Sequence, residues 1–358
     1  MSRNPTDPVS SPIPHPASVA DTGQALLTAG STVVCLVLAE WFGLEHANQA
    51  VWTTYLVVVQ YPFTRLQKGL ERVVGRGLGI LAGLVLTTWF HDTALLTLLL
   101  IAALLTTFFY LYFAGRLAYT FLQAGLYAVA VFQIGHANPA SAVSAAEGLF
   151  VAVVLGVAVA QMVTWFFGAE HDVRIRFGEA PLWPLRGDWL SQSLMLAVTV
   201  LLTVLGAHAL GLPPEKAAIS VMLLTVTPHL QALILKGELR IAGALLASIW
   251  ALGTFIVVGL VPSLLLLATL LFLGQFVAAY LTRTTGQYAY AGLQMGLVLP
   301  MVVVAPADAF GSFTPAVQRL EGVLLGLVAS IVVAGLWPRF PLSDRPAPPV
   351  PIPGEMDM

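Results

Sequence analysis

The chain has 358 residues, 58% apolar and 9% charged, with a formal net charge of −2 and a mean hydropathy of +0.86. Soluble domains carry about 25% charged residues, so the composition excludes an ordinary water-soluble enzyme. No basic patch with interleaved aromatics is present, which removes nucleic acid as a partner.

Residues 1–20 are rich in Pro and Ser and hold no apolar core, which predicts a disordered N-terminal tail and not a signal peptide. Beyond them, several apolar runs exceed the roughly 20 residues that cross a bilayer. The expected fold is an all-α polytopic membrane protein of about 12 transmembrane helices, arranged as two parallel six-helix repeats. The first repeat, 21–168, contains spans near 23–43, 48–61, 70–90, 93–114, 117–135 and 141–168. A charged, proline-bearing cytoplasmic linker follows at 169–188. The second repeat, 189–338, contains spans near 189–210, 214–228, 238–260, 262–282, 287–305 and 315–337. The second and eighth spans are short and stop at Pro62 and Pro228, since proline removes a helix donor and clashes one turn back. A proline-rich tail, 339–358, closes the chain and reads as disordered. Cys35, the single cysteine, lies inside an apolar run and has no partner for a disulfide within the chain.

The repeat is carried by a motif that occurs twice. Lys68, Gly69, Arg72 and Gly75 recur at the same separations as Lys236, Gly237, Arg240 and Gly243. At 3.6 residues per turn each basic pair shares a helix face with a stripe of small residues. The stripes are Gly75, Gly79 and Gly83 in the first copy and Gly243, Ala247 and Ala251 in the second. Small residues at this spacing let helix backbones approach closely in lipid. Other pairings suggested by the alignment are Arg116 with Arg283, Ala124-Gly125-Leu126 with Ala291-Gly292-Leu293, and Glu147 with Glu321. Six spans per half give both halves one orientation. With the N-terminus inside, Lys216 and Arg319 are the outer-side exceptions among the 16 Lys and Arg, so both termini are expected in the cytoplasm.

Lys68, Arg72, Lys236 and Arg240 read either as anchors that reach the headgroups or as a cytoplasmic mouth where an anionic substrate enters. Arg116 and Arg283 join that set at the inner ends of matching helices, where anchoring is the competing role. Glu147 and Glu321 lie about two turns inside the outer ends of their helices, where a carboxylate can carry protons or simply sit at the interface. His46, His91, His136 and His208 fall on the outer side without metal-ligand spacing. No metal, cofactor or enzymatic motif is expected.

A short helix ending in proline, followed by K-x-x-x-R-x-x-G opening a Gly-rich helix, resembles the fusaric acid resistance and aromatic acid exporter family. So does the closing RLEGVLLGLVASIVVAGLWPR. The resemblance implies a bacterial inner-membrane protein that exports small organic, often aromatic, carboxylic anions with a periplasmic adaptor. Proton coupling through the paired glutamates is the expected drive, and membrane lipids and a homo-oligomer are further partners to expect. A passive anion channel built on the same six-helix unit, or a membrane assembly or lipid-processing protein, remains the alternative.

Overall fold

A computed structural model describes residues 19–59, 65–90, 93–115, 117–167, 187–213, 218–219, 230–284, 286–304 and 314–337. These residues form α1 (Val19–Trp41), α2 (Ala47–Val58), α3 (Arg65–Phe90), α4 (Ala94–Ala114), α5 (Ala118–Ala137) and α6 (Ala142–Phe167). They continue as α7 (Gly187–Ala209), α8 (Leu230–Leu260), α9 (Leu264–Thr284), α10 (Ala289–Val303) and α11 (Thr314–Leu336), with one-turn 3₁₀ helices before α6 and α10. Hydrocarbon offers no partner for backbone N–H and C=O, so a chain this apolar has to close its hydrogen bonds within each helix. Nine of the helices are long and apolar enough to cross a membrane, while α2 and α10 are shorter at 12 and 15 residues. The protein is a multi-pass membrane protein.

Residues 169–186 of the linker, 1–18 and 339–358 of the tails, Pro62, Pro228 and Arg116 lie outside the described residues, while Val19 and Ala20 open α1 and Gly187 and Asp188 open α7. The expected short helix at 214–228 also lies outside them, except for Ala218 and Ile219, which are helical. The largest departure in helix limits is α8, which begins at Leu230 and not near 238. The apolar residues preceding Lys236 extend the helix, and they carry Lys236 and Arg240 about two turns further along it than the spacing predicted.

The small-residue stripes lie at helix–helix contacts. A Cβ added to Gly75 or Gly79 would overlap the carbonyl oxygen of Thr120 or Ala124, and one on Gly83 would lie 2.8 Å from the carbonyl oxygen of Ala128. Three glycines one turn apart on α3 thus meet three carbonyls one turn apart on α5. In the second half a Cβ on Gly243 would overlap the Ala291 carbonyl of α10, and Ala247 and Ala251 are fully buried.

The opening helix of each half packs on the opposite half: α1 lies against α9, and α7 lies against α4. Asp21 on α1 forms an ion pair with Arg283 at the end of α9 at 3.5 Å. Tyr55 of α2 is fully buried against α10, with its hydroxyl 3.3 Å from Thr282 Oγ1 and 3.4 Å from the Gly292 carbonyl. Its ring occupies the space that a side chain at position 296 would need, so Gly296 makes room for it.

One pairing in the sequence alignment is corrected. Ala124-Gly125-Leu126 does not occupy the place of Ala291-Gly292-Leu293. Arg72 bonds Tyr119 and Arg240 bonds Tyr290, while the positions beside Gly75 and Gly243 are taken by Gln123 and Gln294. Those contacts set AYTFLQAGL (118–126) against AYAGLQMGL (289–297), four residues from the first register. In apolar segments many registers match Ala, Gly and Leu equally well, and the contacts of the polar side chains break the tie.

Candidate functional site: buried guanidinium groups among aromatic rings

The site grows from α3. Arg72 and Arg76 lie one turn apart on it, on the side turned toward α2 and α5, and both are fully buried. Arg76 places its guanidinium carbon 4.1 Å from the ring centroid of Tyr127 and 5.4 Å from that of Trp52. Arg72 lies 4.7 Å from the same Trp52 ring and donates from Nη1 to the Tyr119 hydroxyl. Gln49 on α2 holds the two rings in place. Its Oε1 accepts the Trp52 indole N–H at 2.6 Å and the Tyr127 hydroxyl at 3.1 Å.

The second half repeats the arginine–tyrosine pair and completes its cluster from different positions. Arg240 on α8 is buried, and its Nη1 lies 3.5 Å from the Tyr290 hydroxyl. Lys236, one turn earlier and half-buried, has Nζ 5.6 Å from the centroid of the Tyr290 ring. Arg319 comes from α11, which packs against α8, and is 5% exposed. It lies within electrostatic reach of both Arg240 and Tyr290.

Among the described residues these groups have no counter-charge. Nε and Nη2 of Arg72, all three nitrogens of Arg76, Nε and Nη2 of Arg240 and Nε of Arg319 are buried without an acceptor. No carboxylate forms an ion pair with any of the four among the described residues. A guanidinium stays protonated at neutral pH, and removing such an ion from water costs several kcal/mol. A cation over an aromatic face recovers about 2 kcal/mol or somewhat more when desolvated. The rings therefore offset only part of the penalty. An anion that supplied lone pairs to the free N–H groups would offset the rest.

The other expected site residues fall elsewhere. Arg72 and Arg240 do not line an open mouth: they sit about 10 and 15 Å along their helices and are closed over. Lys68 is half-buried in the first turn of α3, near Glu71. Arg283 is engaged in docking α9 on α1 through Asp21. Glu147 is exposed on α6. Glu321 is half-buried and lines an open depression with Pro213 and Thr314. At the N-terminal end of α2, His46 packs on Gly148 with a buried, unpartnered Nε2, and burial holds its pKa below the usual value against the pull of Glu45.

Sequence reasoning missed Arg76 and Arg319 as members of the clusters, and all four rings. The signal for Tyr119 and Tyr290 was the repeated A-Y-x-x-L-Q-x-G-L, which does not reach Tyr127. Arg319 had been assigned to the outer surface because it stands near the start of its helix.

The first cluster falls inside a stretch with known relatives. Residues 34–163 match the family described as fusaric acid resistance protein-like. The fusaric acid resistance-like match runs from the middle of α1 to near the end of α6, and so contains Gln49, Trp52, Arg72, Arg76, Tyr119 and Tyr127. It agrees with a multi-pass protein of membrane transport or efflux. No curated protein and no solved structure matches the chain.

Proposed function

We propose that the protein exports small organic anions across a bacterial inner membrane, with aromatic carboxylates as the substrate class. The observation that carries this reading is the set of four arginines buried on membrane-crossing helices, with free N–H groups and no carboxylate partner among the described residues. Ionisable residues in such segments face the bundle interior and mark the path of a substrate or ion. Guanidinium groups match a carboxylate through paired N–H donors, and Trp52, Tyr119, Tyr127 and Tyr290 suit a planar ring beside it. Two six-helix units in parallel, twelve spans in all, are supported by the reciprocal docking of α1 on α9 and α7 on α4. The distribution of Lys and Arg supports cytoplasmic termini. A periplasmic adaptor on the outer side belongs to the same reading.

Protons carried on Glu147 and Glu321 are the proposed drive. A passive anion channel is the second reading, favoured by the exposure of Glu147, which takes that carboxylate away from the buried arginines. Uptake of radiolabelled benzoate into inverted vesicles tests both. Arg72→Gln with Arg240→Gln should reduce uptake while leaving the amount of protein in the membrane unchanged. Under the proton-coupled reading the wild type accumulates benzoate against its gradient under an imposed pH difference, and Glu147→Gln with Glu321→Gln abolishes that response. Downhill flux without accumulation would establish the channel instead. Undiminished uptake in the double arginine variant would overturn the anion reading.

A further inference from the structure

The two clusters are built differently, and the difference is chemical. With 118–126 set against 289–297, Tyr127 corresponds to Val298, so the ring that lies 4.1 Å from Arg76 has an aliphatic counterpart. Arg76 itself corresponds to Ala244, which is buried with 1% exposure. The second half recovers a second guanidinium only by taking Arg319 from another helix, α11. Among the described residues its aromatic contacts reduce to one ring, Tyr290, which faces Lys236. The first half therefore holds two guanidinium groups on one rigid helix beside two rings fixed by Gln49. The second holds two guanidinium groups on separate helices with a single ring, among the described residues, at the side.

On this basis, and resting on the anion reading above, we propose that the chain contains two non-equivalent anion sites. The site at Arg72 and Arg76 selects a planar aromatic carboxylate through Trp52 and Tyr127. The site at Arg240 and Arg319 takes a compact anion by charge alone, with no requirement for a ring. In the first site the free N–H groups of both arginines receive the carboxylate, and the ligand's ring adds to a stack whose other members are already in place. Fixed rings lose little freedom on binding, so ring recognition there is pre-organised. In the second site Val298 offers no π face, and the cations respond only to the carboxylate. Because Arg240 and Arg319 stand on different helices, a small displacement of α11 on α8 changes their separation. The spacing of Arg72 and Arg76 is set by one turn of one helix.

The test uses the full chain in lipid nanodiscs, titrated with benzoate, cyclohexanecarboxylate and acetate. The first two carry one carboxylate on a six-membered ring, aromatic only in benzoate. Wild-type protein should bind benzoate more tightly than cyclohexanecarboxylate, by about three- to tenfold. Tyr127→Leu should remove that preference and Tyr127→Phe should keep it, which separates ring loss from misfolding. Arg240→Gln should lower the number of acetate ions bound per chain from two to one while the benzoate preference persists. If Tyr127→Leu keeps the preference, or Arg240→Gln abolishes it together with benzoate binding, the sites are not distinct and this inference is overturned with the anion reading intact. If the wild type binds none of the three, the anion reading falls with it.

Discussion

Replacing Gly79 by alanine adds one methyl group to a helix, and in an open position that change is favourable. Alanine exceeds glycine in helix propensity by about 1 kcal/mol, because glycine loses more backbone freedom on folding. At Gly79 the structure reverses the sign. The added Cβ would overlap the Ala124 carbonyl oxygen and stand 3.0 Å from that residue's carbonyl carbon and Cα. These are backbone atoms of α5, held by its own hydrogen bonds, so no rotamer change relieves the contact. α3 must move off α5 as a body, and the packing of Gly75 and Gly83 loosens with it. Overpacking of this kind costs about 1–3 kcal/mol, which outweighs the gain in propensity. Gly253 supplies the control, since a Cβ there meets nothing within 4 Å and the residue is exposed. Thermal unfolding in detergent, followed by loss of the monodisperse peak on gel filtration, should show a melting point several degrees lower for Gly79→Ala. Gly253→Ala should equal the parent or rise slightly. Equal melting points for the two variants would refute the close packing of α3 on α5.

Two further measurements bear on the outer side and the topology. His46 has a folded-state pKa below its unfolded value of about 6.5. The unfolded chain therefore binds more protons in that range, and stability is full above pH ~6.5 and falls as the pH drops below it. His46→Gln should flatten this slope in melting experiments, and an unchanged slope would show that the buried imidazole does not titrate with unfolding. Cysteines placed at Glu45 and Asn138 should react with a membrane-impermeant maleimide from outside intact cells, while one at the exposed Tyr288 should react only after lysis. Labelling of all three from the same side would remove the twelve-span arrangement.

Local chemistry along the chain determined which segments are helices and which helix faces meet. Apolar runs long enough for a bilayer have to be helical, and their limits were legible to within a few residues everywhere except at the start of α8. The glycine stripe of α3 was legible too, because close approach in lipid depends on the absence of a Cβ, and that absence is written directly in the sequence. The partners of the basic residues were not. Arg72 and Arg240 could be found by their repeat, yet anchoring at a headgroup and burial beside a ring require the same residue on the same face. Tertiary structure decided between them by bringing Trp52 from α2 and Tyr127 from α5 to α3. It also carried Arg319 in from α11, far along the chain from Arg240, where no periodicity could link the two. The same held for the register of α5 against α10. Apolar side chains slide past one another with little change in energy, so repeats of Ala, Gly and Leu align in several ways. A guanidinium that has found a tyrosine hydroxyl holds one alignment, because an N–H buried without an acceptor is costly.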